Sequence, residues 1–156
     1  METQFKRYSI LVADDDEGDR FLINKAMKAN GVENQIQFLE DGQKLVDHLT
    51  ENLKSTHPGD KPSLPCLILL DLNMPLLDGW EALKIVKNHA QLREIPVVIL
   101  TNSDNPEDVT SSYLEGANSF FTKPLDYLDL VRLMGLLKNY WFQNAKLPFE
   151  RPKFAE

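Results

Sequence analysis

Four short polar clusters hold the residues of this chain that could do chemistry. Asp14-Asp15-Asp16-Glu17, Asp71-Leu72-Asn73-Met74-Pro75, Thr101-Asn102-Ser103 and Lys123-Pro124 each follow directly on an apolar run. A carboxylate at the mouth of a run as apolar as Leu67-Ile68-Leu69-Leu70 needs a partner, which makes Asp71 the first candidate for a functional group. Three carboxylates drawn within roughly 5 Å would repel by about 3 kcal/mol per pair at an effective dielectric near 20, so such a cluster needs a cation or raised pKa values. A hard divalent ion answers that need. Magnesium takes oxygen ligands, keeps several waters and is commonly held by one or two carboxylates with a phosphate oxygen. Lys123 would bring a fixed cation to the same place, to neutralise the acids or hold a phosphoryl oxygen.

Each of these residues also has a plainer role when taken singly. Acids at 14–17 suit the start of a helix, where the macrodipole favours negative charge. Asp71 could cap or turn the chain, Thr101 could be β-branched strand filler, and Lys123 could be a solvated lysine. A cis bond at Lys123-Pro124 would aim the lysine inward, but cis is the minority state of such bonds. Asp78, followed by Gly79 and by Glu81 three residues on, is fully explained as a turn and helix cap and stands outside the chemistry.

The elements that must position these clusters are legible in the hydrophobic pattern. Ile10–Ala13, Ile36–Leu39, Leu67–Leu70, Val97–Leu100 and Ser119–Thr122 are strand-length runs bounded by polar or turn residues. Between them lie helical spacings: Leu22, Ile23, Ala26 and Met27; Leu45, Val46 and Leu49; Leu83, Val86 and Lys87; Val109, Tyr113 and Leu114. Asn105-Pro106 reads as a cap followed by a first-turn proline, and Gly31 and Gly116 as helix stops. The segment from Glu51 to Pro65, polar and holding three prolines, reads as a long exposed connection. Strands alternating with helices predict a parallel sheet covered on both faces, with its functional crevice at the carboxyl ends of the strands. All four clusters fall on that edge.

Bulk composition narrows the function. The chain has 156 residues, about one domain, which leaves no room in this sequence for a second folded output domain. We divide it into a domain over 1–144 and a C-terminal tail over 145–156. Its formal net charge is −7, with no cluster of Lys and Arg on a predicted face, which argues against direct nucleic-acid binding. No leader-like apolar segment opens the sequence and Cys66–Leu70, the longest apolar stretch, is too short to span a bilayer, so a soluble cytoplasmic protein is expected. The lone Cys66 opens a strand and is expected in the core.

Taken together, the ordered set Ile10-Leu11-Val12-Ala13-Asp14-Asp15, Leu70-Asp71-Leu72-Asn73-Met74-Pro75 with Asp78-Gly79, Leu100-Thr101, and Gly116-Ala117 followed by Lys123-Pro124 closely resembles the receiver domain of two-component response regulators, over roughly Ser9 to Tyr140. The resemblance implies a flavodoxin-like, doubly wound (βα)5 fold with a five-stranded parallel sheet of order 2-1-3-4-5. It implies that Asp71 is the phosphoacceptor, that Asp14 and Asp15 hold Mg2+ with Asp71 and the Asn73 backbone carbonyl, and that Thr101 and Lys123 contact the phosphoryl group. The triple aspartate leaves the register of the first loop open by one residue. Thr101 and Phe120 would form the switch that reshapes the α4-β5-α5 face. Many receivers carry tyrosine where Phe120 stands, so this ring could switch only sterically. Asn102 replaces the usual small residue beside the threonine and predicts slow dephosphorylation.

Such a domain would not be a free-standing enzyme, but a phosphoacceptor that assists its own phosphorylation and dephosphorylation. Its expected partner is a sensor histidine kinase. The tail Tyr140-Trp141-Phe142-Gln143 through Leu147-Pro148, with the long loop before the third strand, is similar to single-domain regulators paired with bacterial phytochrome kinases. Leu130, Leu133, Met134, Leu137, Tyr140 and Trp141 form one apolar stripe, and Leu128, Val131 and Leu136 widen it enough to predict a homodimer through the α4-β5-α5 face and C-terminal helix. Two other classes fit less well. A haloacid-dehalogenase-like phosphatase carries its aspartyl nucleophile after the first strand, and a nucleotide-binding module would want phosphate-cradling amides where this chain has four acids. A pseudo-receiver that binds partners without phosphorylation remains as the alternative.

Overall fold

The strand runs and helical spacings fold into the predicted alternation. The computed structural model describes residues 8–54 and 64–148. Its elements run β1 (Ile10–Ala13), α1 (Glu17–Ala29), β2 (Ile36–Leu39), α2 (Gly42–Lys54), β3 (Leu67–Leu70), α3 (Gly79–Asn88), β4 (Val97–Thr101), α4 (Pro106–Leu114), β5 (Ser119–Thr122) and α5 (Tyr127–Leu137), closed by a π-helical segment at Lys138–Asn144. The strands form one sheet in the order β2-β1-β3-β4-β5, with β1 parallel to β2 and β3, and β4 parallel to β3 and β5. This is the flavodoxin-like, doubly wound order that the resemblance implied.

Alternation along each strand sends side chains to two separate cores. Ile10, Val12, Leu67, Leu69, Val98 and Leu100 pack on one face with Ile23 and Met27 of α1 and Leu130 and Met134 of α5. Leu11, Ala13, Ile68, Leu70, Val97 and Ile99 pack on the other with Leu45 and Leu49 of α2 and Leu83 and Val86 of α3. Each large apolar side chain withdrawn in this way contributes on the order of 2 kcal/mol, and the double burial explains why β1, β3 and β4 carry no polar position before their last residue. Cys66 is buried among the first set, as expected.

Helix ends follow the local chemistry. Asp78 Oδ1 accepts from the Glu81 amide at 3.0 Å and Asn105 Oδ1 from the Glu107 amide at 3.0 Å. Gly31 and Gly116 end their helices at φ +73 and +103, a region that side-chain-bearing residues rarely adopt.

Several expectations are corrected. Helix α2 continues through Lys54, so Glu51 to Lys54 are helical rather than part of the connection, and 55–63 lie outside the described residues. Helix α4 keeps its predicted place, yet Tyr113 and Leu114 are exposed and it buries Ser112, because α4 leans on the sheet edge rather than over a core. The stripe on α5 also breaks. Leu130, Leu133, Met134 and Leu137 are buried, but the wider π-helical turn rotates Tyr140 to solvent and brings Phe142 and, beyond it, Leu147 into the core. The Lys123-Pro124 bond, which the sequence left open, is trans. Of the tail, 149–156 lie outside the described residues.

Candidate functional site

The sheet ladder itself carries the acid and lysine positions into one place. The Asp14 amide donates to the Leu39 carbonyl at 3.0 Å, the Asp71 amide to Ala13 at 3.0 Å, and the Lys123 amide to Thr101 at 2.6 Å. Each residue is thus the last one pinned by parallel pairing before its loop leaves the sheet, which fixes its backbone while its side chain faces the crevice. Gly79 closes the site from the far side. A Cβ there would stand 2.1 Å from the Asp71 carbonyl oxygen, so α3 can start this close to the loop only with glycine.

Lys123 is the hub. Its Nζ lies 2.7 Å from Asp14 Oδ2, 2.7 Å from Asp19 Oδ2 and 2.9 Å from Asp71 Oδ2, with its side chain only 8% exposed. Burial by itself would lower the lysine pKa, but hydrogen bonds to the three carboxylates outweigh it and hold the ammonium above its ordinary range. Burial raises the Asp14 carboxyl above its ordinary 3.8, more strongly than the contacts from Lys123 and the Asp16 amide lower it, and the charge of Asp71 adds to the rise.

The hydrogen bonds of the first loop give its three aspartates different surroundings. Asp14 is buried and its Oδ1 accepts from the Asp16 amide at 2.9 Å. Asp16 turns away as the cap of α1, taking the amides of Gly18 and Asp19 at 2.7 and 3.2 Å. Arg20 Nη1 donates to the Asp14 carbonyl at 2.8 Å and ties the helix to the loop. The remaining acids, Asp14, Asp15 and Asp71, each place a carboxylate oxygen within 4.8 Å of the others. With Asp19, four carboxylates face one ammonium, so the pocket stays anionic with Lys123 inside it. An oxygen-rich cluster with excess negative charge fits a hard divalent cation.

The other predicted residues fall around this cluster. Asn73 follows on the exposed rim, its amide donating to Asp71 Oδ1 at 3.2 Å. The same loop turns through Leu76, which is 86% exposed and holds φ +65, a strained conformation for leucine. Thr101 is fully buried at the end of β4, and its Oγ1 is, among the described residues, the one buried side-chain oxygen or nitrogen with no hydrogen-bond partner. Such a hydroxyl costs about 1–3 kcal/mol unless something else bonds to it, which strand filler alone does not explain. Phe120, one strand over, is half-buried against the α2 and α3 side of the sheet. Sequence reasoning missed Asp19, which stands two residues beyond the acidic cluster at 14–17 and carries no spacing signal of its own.

Residues 10–134 match the response regulator receiver domain family. The chain belongs to that family. This receiver is 37% identical over 134 residues, 86% of its own length and 83% of the other, to the probable methanogenesis regulatory protein FilR2 of Methanothrix harundinacea. It is 32% identical to response regulator Rcp1 of Synechocystis over 89% of this chain and 92% of that protein. A crystal structure of the Mn2+-bound form of Rcp1 superposes with a TM-score of 0.74 at 33% identity, covering 90% of this receiver and 99% of that chain. That of the phosphorylated cyanobacterial phytochrome response regulator RcpA does so at 0.77 and 31% identity, covering 91% and 99%. The receiver therefore works in two-component signalling, and its structural neighbours include phytochrome-associated response regulators. Among the described residues no helix is long and apolar enough to cross a membrane.

Proposed function

We propose that this receiver accepts a phosphoryl group on Asp71 from a sensor histidine kinase and signals by reshaping its α4-β5-α5 face. The observation that carries this reading is the convergence on Asp71 of an enclosed ammonium at 2.9 Å and two further acids within 4.8 Å. Asp14, Asp15, Asp71 and the backbone carbonyl of Asn73 would hold Mg2+, whose charge stabilises the equatorial phosphoryl oxygens. An Asp71 carboxylate oxygen attacks phosphorus in line, an O–P bond forms, the N–P bond to the kinase histidine breaks, and that imidazole nitrogen takes a proton from solvent. Lys123 neutralises charge on the transferring group and orients it. No side chain has to act as base, since the nucleophile is already anionic.

In this reading the domain is a reactant rather than a free-standing enzyme, speeding its own phosphorylation and the later hydrolysis. The Thr101 hydroxyl bonds the arriving phosphoryl group, drawing in the loop after β4 and opening space for the Phe120 ring, which has no phenolic group and moves by packing alone. Asn102, exposed beside that threonine, narrows water access and slows hydrolysis. The kinship with phytochrome response regulators supports a phytochrome-type kinase as donor, in the cytoplasm, without nucleic acid as a partner. Leu128, Leu136 and Tyr140, each more than 60% exposed, extend the switch face into a surface suited to a homodimer.

Intact-mass measurement after incubation with acetyl phosphate and Mg2+ tests the core of this proposal. Wild type should gain about 80 Da and Asp71→Asn nothing, since the modification adds one phosphoryl group as an acyl phosphate. An unmodified wild type would leave a phosphorylation-independent interaction module.

A further inference from the structure

Asp19 is used by nothing described so far, although it is as close to Lys123 as any group in the protein. It is the third residue of α1, and its position is rigid: Asp16 caps the helix through the amides of Gly18 and Asp19, and Arg20 locks the same turn to the Asp14 carbonyl. An ammonium has three N–H donors, and all three of Lys123 are taken, by Asp14, Asp19 and Asp71. Two of those acceptors have a second claim on them. Asp14 and Asp71 belong to the cluster suited to a divalent cation, whereas Asp19 does not.

A cation in that cluster would draw the oxygens of Asp14 and Asp71 toward itself and repel the ammonium. The attraction left to hold Lys123 in place would be that of Asp19. We propose that Asp19 is the positioning residue for Lys123: its carboxylate keeps the ammonium beside Asp71 while a divalent cation occupies the acids. The proposal rests on the phosphoacceptor reading for its purpose, but the tether itself needs only the metal. Loss of Asp19 would leave Lys123 free to swing out to solvent whenever the metal is bound.

The first test is chemical labelling of the lysines by acetylation, read by mass spectrometry, with other lysines of the chain as internal standards. In wild type, Lys123 should stay protected with or without Mg2+. In Asp19→Asn, Mg2+ should raise Lys123 labelling several-fold, and Asp19→Glu, which keeps the charge, should restore most of the protection. The second test is a double-mutant cycle at saturating Mg2+, measuring acyl phosphate formation and beryllofluoride affinity. Asp19→Asn should cost about tenfold in each, as expected for one charge-assisted hydrogen bond, and should cost nothing further in a Lys123→Ala background. Equal losses in both backgrounds, or Lys123 labelling in Asp19→Asn that Mg2+ leaves unchanged, overturn the proposal. Should wild type fail to form acyl phosphate, the phosphoacceptor reading falls, while the labelling result still decides the role of Asp19.

Discussion

Two lysines stand at opposite ends of the same sheet, each with its ammonium fully engaged, and their environments push them in opposite directions. Lys123, after β5, is held by three carboxylates at 2.7–2.9 Å and its pKa is raised. Lys87, near the end of α3, donates to the Arg93 carbonyl at 3.1 Å, the Ile95 carbonyl at 2.7 Å and Asn118 Oδ1 at 3.2 Å, all at the amino ends of β4 and β5. Burial lowers its pKa to about 8. Neutral dipoles satisfy the geometry of an ammonium without supplying opposite charge, so desolvation wins at Lys87 and loses at Lys123.

The two contacts therefore do different work. Lys87 fastens a helix end to two strand entries, together with Asn118, whose Oδ1 also accepts the Val97 amide at 2.8 Å. Lys123 sets its charge against Asp71, the proposed nucleophile. Substituting each by alanine should separate these roles. Lys123→Ala should slow acyl phosphate formation at saturating Mg2+ by about a hundredfold, the scale expected when a group that positions and neutralises the transferring atoms is lost. Lys87→Ala should leave that rate within about threefold but destabilise the fold by about 2 kcal/mol through the acceptors it abandons. Stopped reactions and thermal melts on both variants would check this; comparable losses of rate would erase the distinction.

Thr101 sharpens the same contrast, because its hydroxyl has no partner at the site end while Lys87 has three at the other. Thr101→Val keeps the shape and removes the orphan group. The metal-free protein should gain about 1 kcal/mol, seen as a melting temperature roughly 2–4 °C higher for a chain of this size. Beryllofluoride binding should weaken by about tenfold. A melting temperature that falls would mean that the hydroxyl already has a bonding partner in the resting state.

The same contrast can be read in the pH dependence of stability. Lys87 sheds its proton near pH 8 in the folded chain and near 10.5 in the unfolded one. Between those values the unfolded state binds more protons, so this residue makes stability rise with pH across the window, with a constant penalty below it. Lys123, with a raised pKa, contributes stability that is fully present below 10.5 and fades above it. Denaturant unfolding from pH 7.5 to 10 should show the gain in wild type and lose it in Lys87→Met, which cannot titrate. A parallel pair of curves would count against the dipole-held lysine.

The central strands β1, β3 and β4 were legible almost residue for residue, with β4 one residue longer than its apolar run, because a doubly buried parallel strand must be apolar throughout; the edge strands β2 and β5 were legible from their length and bounding turn residues. Caps at Asp78 and Asn105 and stops at Gly31 and Gly116 were legible for a similar reason, since the bonds involved span two to four residues. Tyr140 was misplaced because periodicity assumes a constant 3.6-residue turn, and the π-helical segment breaks it. Leu114 was misplaced because an apolar spacing predicts a helix face but not whether a core lies beneath it.

Asp19 shows where local information ends. Five acids within six residues, Asp14 to Asp19, all suit a helix start, and nothing in their spacing tells a cap, a cation ligand and a lysine anchor apart. The partner that distinguishes them lies 104 positions away, as Lys123 lies 52 from Asp71. Hydrophobic period and capping chemistry were enough to set out the elements and their boundaries, since both act over a few residues. The division of labour among Asp14, Asp15, Asp16 and Asp19 was decided when parallel pairing brought separate strand ends to one edge, because electrostatic roles depend on distances in space that the chain order does not contain.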